Sequence, residues 1–186
     1  MTHSAGRGPT LRIICFNDVY TLEHLPRMLN LVRHYRAVDA ADRTLVTLAG
    51  DFVGPSMLSS LDKGRSMLEC LNAIGVSHVI FGNHEDDIDL SELRHRIAEF
   101  SGVWLATNTP QFAPSLPGHD IITVQSPSGR QVRVGLIGVV MNDETVYRRK
   151  PFGGVPIEPQ NECVIREAQR LVQQEGLSCV IPMTHQ

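Results

Sequence analysis

The chain has 186 residues, 42% of them hydrophobic, with a formal charge of −3 and a pI near 6.2. This length and apolar content can bury one sizeable core, and one domain is the expectation. The charge leaves no long basic stripe for a nucleic-acid polymer, and no apolar run approaches the roughly 20 residues a membrane span requires.

Residues 1–10, MTHSAGRGPT, are polar and read as a flexible N-terminus. They lack the apolar stretch of a secretory signal, so a cytoplasmic location is expected. Strand-type runs follow: LRIICF (11–16), TLVTLAG (44–50), SHVIFG (77–82), VWLAT (103–107), DIITVQ (120–125), QVRVGLIGVV (131–140) and SCVIPM (178–183). Between them, Leu25, Met28, Leu29, Val32 and Tyr35 share one helical face. So do Leu93, Ile97 and Phe100, and so do Val164, Ala168, Leu171 and Val172. Pro55 is placed in the first turn of a further helix and Asn161 at the cap of the last one, with Gly75 and Gly176 as helix stops. Alternating strands and helices predict an α/β layered fold, and SPSG (126–129) predicts a hairpin, hence a mixed sheet. PFGGVPIEPQ (151–160) reads as a surface loop. Cys15, Cys70, Cys163 and Cys179 show no C-x-x-C pairing and read as reduced core residues.

The strand ends carry the chemistry, because α/β sheets bind ligands beyond the carboxyl ends of their strands. Asn17, Asp18 and Tyr20 follow the first strand, and Asp51 the second. Asn83 and His84 follow the third, Asn108 the fourth, and Thr184 and His185 the last. Oxygens and imidazoles in one rim suit zinc, manganese or iron, and a carboxylate such as Asp51 can bridge two ions. Two cations roughly 3.5–4 Å apart can activate water and clamp the attacking and leaving oxygens of a phosphoryl group.

FNDVY, GDFVGPS, GNHEDD, ATNT and PMTHQ together resemble the calcineurin-like metallophosphoesterases. They are more closely similar to the 5′-nucleotidase and UDP-sugar hydrolase branch, in which a separate C-terminal domain follows the catalytic one. The resemblance spans residues 11–186. It implies a metallophosphoesterase-like α/β fold with mixed sheets flanked by helices, incomplete at the C-terminus, of which this chain is the N-terminal part. It also implies two divalent metal ions (Mn, Zn or Fe), with Asp18 on the first, Asp51 bridging, and Asn83 and His185 on the second. His84 would face the scissile phosphate, with Asp87 orienting its imidazole. Glu85 and Asp86 read as hydrogen-bonding or solvated loop residues.

Two departures from the family pattern stand out. Tyr20 occupies the histidine position of the usual Asp-x-His motif: it would bind a ferric ion as phenolate, only hydrogen-bond in the site, or leave the first metal weak or absent. Hydrogen bonding is the favoured reading, with His24 a surface residue. The chain also ends at Gln186, before the family's Gly-His-x-His segment, so either a truncated enzyme is expected or the missing ligands come from another chain, with weak metal affinity and low activity for this piece. The function expected is metal-dependent hydrolysis of a small phosphate ester, a nucleotide or sugar phosphate, by a metal-activated hydroxide. The alternative is a non-catalytic phosphate-ligand or protein-interaction module. A dinucleotide-binding fold is set aside, since NDVYTLEH (17–24) has no glycine turn.

Overall fold

The computed structural model describes residues 7–38 and 41–186. Among these, β1 (Leu11–Phe16), β2 (Arg43–Ala49), β3 (His78–Ile80) and β4 (Val103–Leu105) form a parallel sheet in that order. β5 (His119–Gln125), β6 (Gln131–Val140) and β7 (Cys179–His185) form a second sheet, with β5 and β6 antiparallel and β6 and β7 parallel. The helices are α1 (Leu25–Val38), α2 (Met57–Asp62), α3 (Arg65–Ile74), α4 (Leu90–Glu99) and α5 (Gln160–Glu175).

The period-two alternation of strand side chains sorts the layers. From β2, Val46 and Leu48 pack with Val32 of α1, Leu71 of α3 and Leu93 of α4. Leu45 and Ala49, on the opposite face, join Ile80, Leu105, Ile122, Val134, Leu136 and Met183 between the two sheets. Ile137 faces the other way and packs with Leu171 of α5 and Leu177. The result is the expected α/β fold, two sheets face to face and flanked by helices. Gly138 marks where the sheets touch, since an added Cβ would collide with Ile80 Cγ2 and stand 2.9 Å from Leu105 Cβ.

Gly75 and Gly176 end α3 and α5 in the left-handed conformation, as expected, and SPSG closes the β5–β6 hairpin. Other local expectations shift. The helix expected after Pro55 is two helices broken at Lys63 and Gly64, and its N-cap is Ser56, which forms a reciprocal capping box with Ser59. Asn161 lies inside α5, whose cap position is Pro159, and Val172 turns outward while Cys163 is buried in its place. The segment 151–160 is not merely a surface loop, because Phe152 is buried against Phe81, Phe112 and Tyr147. Cys15 and Cys179 are exposed; of the four free cysteines Cys163 alone is fully buried. Residues 1–6 of the expected flexible N-terminus lie outside the described residues, while Arg7 and Thr10 both bond Asp42. No helix among the described residues is long and apolar enough to cross a membrane.

Candidate functional site

Four parallel strands deliver their C-terminal ends to one rim, and β7 brings His185 to the same edge as its last residue. The loops after β1, β2 and β3 are fastened there by backbone bonds. Asp18 N–H donates to Gly50 O (3.2 Å), and Val19 N–H to Asp51 O (2.8 Å). Asp18 and Asp51 both take the left-handed conformation, with φ of 56° and 58°, which aspartate tolerates better than most side chains. Gly50 and Gly82 face each other so closely that a Cβ on Gly50 would lie 2.7 Å from the Gly82 backbone, and one on Gly82 would strike the Asp51 carboxylate. Only glycine lets these two loops meet.

Asp51 is buried at the centre. Its Oδ1 accepts the His84 backbone N–H at 2.9 Å, and its Oδ2 lies 3.4 Å from His185 Nε2, 3.9 Å from His84 Nε2 and 3.1 Å from the Tyr20 hydroxyl. Burial works against its charge, yet the bonds from His185 and the His84 N–H hold its pKa below the ordinary carboxylate value. Asp18 is exposed; one of its oxygens accepts the Tyr20 hydroxyl at 2.7 Å and the other the Asn17 amide. Asn83 turns its amide nitrogen to Val146 O (3.2 Å) and so aims its oxygen at His185 Nε2 (3.2 Å).

His185 Nδ1 lies 2.8 Å from the Ala49 carbonyl. A carbonyl only accepts, so Nδ1 carries a proton and Nε2 is the atom offered to the cluster. Burial opposes charge on this imidazole, but the Asp51 carboxylate and the Ala49 carbonyl raise its pKa to about 9. His84 forms the other half of the site. Its Nδ1 is 2.8 Å from Asp87 Oδ2, which leaves Nε2 facing the Asp51 side, and Arg148 Nε holds the second Asp87 oxygen at 3.2 Å.

The residues singled out from the sequence as Asp18, Tyr20, Asp51, Asn83, His84, Asp87 and His185 therefore gather in one place. Their donor chemistry fits a divalent cation, because ligand atoms of Asp18, Asp51 and His185 lie within 4.8 Å of one another. Asn108 does not join them. It is buried and spent on the backbone, bonding Val140 N (3.0 Å), Val140 O (2.8 Å) and Glu158 O (2.9 Å). Thr184, exposed, turns away to a cleft lined by Val164 and Pro182. His24 is exposed.

The sequence reading undervalued Glu85. Its fully buried carboxylate accepts four backbone N–H groups: Asp51 (2.8 Å) and Gly82 (2.5 Å) on Oε2, Phe52 (2.8 Å) and Val53 (3.0 Å) on Oε1. Burial and then the Asp51 charge push its pKa up, while the N–H donors pull it down. Four donors fill the roughly four acceptor positions of an ionised carboxylate, so the arrangement is built for the charged form. Asp86 is buried as well, accepting Phe152 N–H at 3.0 Å with Arg149 Nε at 3.6 Å. The only sequence signal for either was position, immediately behind Asn83 and His84 in a tight turn.

The fold is similar to that of several solved structures. Calcineurin-like phosphoesterase YfkN from Bacillus subtilis superposes with a TM-score of 0.75 at 19% identity, covering 94% of this chain and 61% of that one. The NAD nucleotidase of Haemophilus influenzae gives 0.76 at 20%, covering 94% and 34%, and a 5′-nucleotidase precursor from Thermus thermophilus gives 0.78 at 17%, covering 94% and 37%. The chain thus spans between about a third and three-fifths of the length of these structures. No curated protein matches its sequence significantly. Residues 11–145 match the family model for calcineurin-like phosphoesterases, and the chain belongs to that family.

Proposed function

We propose that this chain is the N-terminal part of the catalytic domain of a metal-dependent phosphoester hydrolase that removes phosphate from a small nucleotide or sugar phosphate. The observation that carries the reading is the meeting of Asp18, Asp51, Asn83 and His185 beside the His84–Asp87 pair. The nucleotidases among its structural neighbours support the substrate class. Exposed thiols at Cys15 and Cys179 suit a reducing compartment, which favours the cytoplasm.

Asp18, Asp51, Asn83 and His185 would hold two divalent cations, with Asp51 shared. Bound there, the cations supply acidified water and offset the phosphoryl charge. Asp87 accepts from Nδ1 and so fixes the His84 ring with Nε2 toward the rim where a leaving oxygen would lie, the atom that carries the second proton of an imidazolium. A proton given at that atom stabilises the departing alkoxide, which is worth about 10²–10⁴-fold in rate. The His84 N–H bond keeps the Asp51 carboxylate turned toward the cluster.

A second reading, a phosphate-binding or protein-interaction module without turnover, is favoured by one observation. The Tyr20 hydroxyl lies between Asp18 and Asp51, where a phenol bonds carboxylates instead of adding a strong ligand. Turnover of p-nitrophenyl phosphate and of a nucleotide and sugar-phosphate panel, with added manganese, zinc or iron, separates the two. The enzyme reading expects cation-dependent hydrolysis that chelator abolishes and His84→Ala lowers at least about 100-fold. Phosphate binding without cation, and no hydrolysis under any metal, supports the module.

A further inference from the structure

The cluster is lopsided about Asp51. On one side the approaching atoms are donors for a cation: His185 Nε2 at 3.4 Å from Asp51 Oδ2, and Asn83 Oδ1 at 3.2 Å from that nitrogen. Both side chains are steered from behind, by the Ala49 and Val146 carbonyls. Oxygen and nitrogen ligands at about 2.0–2.2 Å from one ion stand at most about 4.4 Å apart, and these spacings are already inside that limit. On the other side, Asp18 Oδ1 and Asp51 Oδ2 are joined by the Tyr20 hydroxyl, at 2.7 and 3.1 Å. The Tyr20 ring stands edge-on to His84, ring centroids 6.0 Å apart, and lines a cleft of about 250 Å³ together with Leu22, Phe52 and Met67.

A hydroxyl set between two carboxylates occupies the space that a cation shared by them would need, and shares its single proton between them. We propose that Tyr20 makes the two cation positions unequal: the first ion binds at Asp51, Asn83 and His185 with Tyr20 in place, and an ion at Asp18 must displace the phenol. Tyr20 is then a selectivity residue that leaves one ion tightly held and admits the second of the two only at excess cation. This rests on the metal-dependent reading above.

The test is a manganese titration of the full chain by calorimetry, with bound metal counted after desalting and electron paramagnetic resonance distinguishing lone from spin-coupled manganese. Wild type should retain one ion with an uncoupled signal. Tyr20→His, which supplies a nitrogen donor, and Tyr20→Phe, which removes only the hydroxyl, should tighten the second site at least about tenfold, and Tyr20→His should show a coupled pair. Two equally tight ions in wild type, or a second site unmoved in both variants, overturns the role of Tyr20 while leaving the metal reading intact. No retained manganese in wild type or either variant sinks the metal reading itself, and the proposal with it. Circular dichroism of each variant, matching wild type, separates these outcomes from misfolding.

Discussion

Replacing Glu85 by glutamine keeps the size of the side chain and removes one acceptor oxygen from the point where the loops after β2 and β3 are joined. In the wild type two N–H groups converge on each carboxylate oxygen. A glutamine turned either way presents an NH₂ group to one of those pairs, so two buried donors lose their acceptor. Each such loss costs about 1–3 kcal/mol, which totals about 2–6 kcal/mol. Relief of the desolvation of the charge works the other way, and burial is indeed the leading influence raising the Glu85 pKa. The four charge-assisted bonds outweigh it, and a net loss of about 2–4 kcal/mol is expected, a large part of the roughly 5–15 kcal/mol typical of a domain. Urea denaturation in the presence of chelator isolates this effect from any stabilisation by bound metal. If Glu85 instead carried a proton, glutamine would imitate it closely. A variant within about 0.5 kcal/mol of wild type would therefore refute both the ionised state and the fastening role assigned here.

Two further outcomes follow from the same geometry. The His185 imidazole has its pKa raised from 6.5 to about 9 in the fold, so in metal-free protein its contribution to stability is complete below about pH 6.5 and is lost as pH rises through about 9. Denaturation midpoints with chelator at about pH 6, 7.5 and 9 should fall more for wild type than for His185→Ala, and parallel profiles would contradict the pairing with Asp51. Phe152→Ala empties a fully buried position among Phe81, Phe112 and Tyr147 and should cost about 3–5 kcal/mol, read as a lowered melting temperature. A loss under about 1 kcal/mol would mean that the 151–160 segment is the surface loop its sequence suggests.

Legibility divided along a physical line. Strands β2 and β6 were readable because burial on both faces demands unbroken β-branched or apolar runs, and the site was readable because parallel strands end on one rim. Asp51 and His185, which are 134 positions apart in the chain yet 3.4 Å apart in space, were linked in advance by the shared rim of strand ends, and the family motifs implied their roles there. What periodicity could not convey was the use of polar groups against backbone. Asn108 and Glu85 have the residue types of ligands, and whether such an atom meets a cation or an N–H group is decided by loop conformation, which leaves no periodic trace. Phe152 was hidden for a related reason. It is one aromatic residue among glycines and prolines, and its N–H is received by the buried Asp86 carboxylate, a contact that no periodicity signals.

The positions of Asp18 and Asp51 show how the fold sets the geometry of this site. Each sits just past a strand at positive φ, a conformation that costs a non-glycine residue on the order of 1 kcal/mol. Neither would keep it in isolation. Asp51 is held because its own N–H and those of Phe52 and Val53 converge on Glu85, and Asp18 is held because its N–H and that of Val19 reach the carbonyls of Gly50 and Asp51. The two carboxylates are therefore linked through backbone, Glu85 fastening the loop of Asp51 and the Gly50 and Asp51 carbonyls fastening the loop that carries Asp18 and Tyr20. The turn GNHE does two jobs at once, presenting Asn83 and His84 outward while Glu85 points inward to lock the loop that carries Asp51. That double use explains why four successive residues of such different chemistry stand together, and why the side chain that looks least catalytic governs the placement of those beside it.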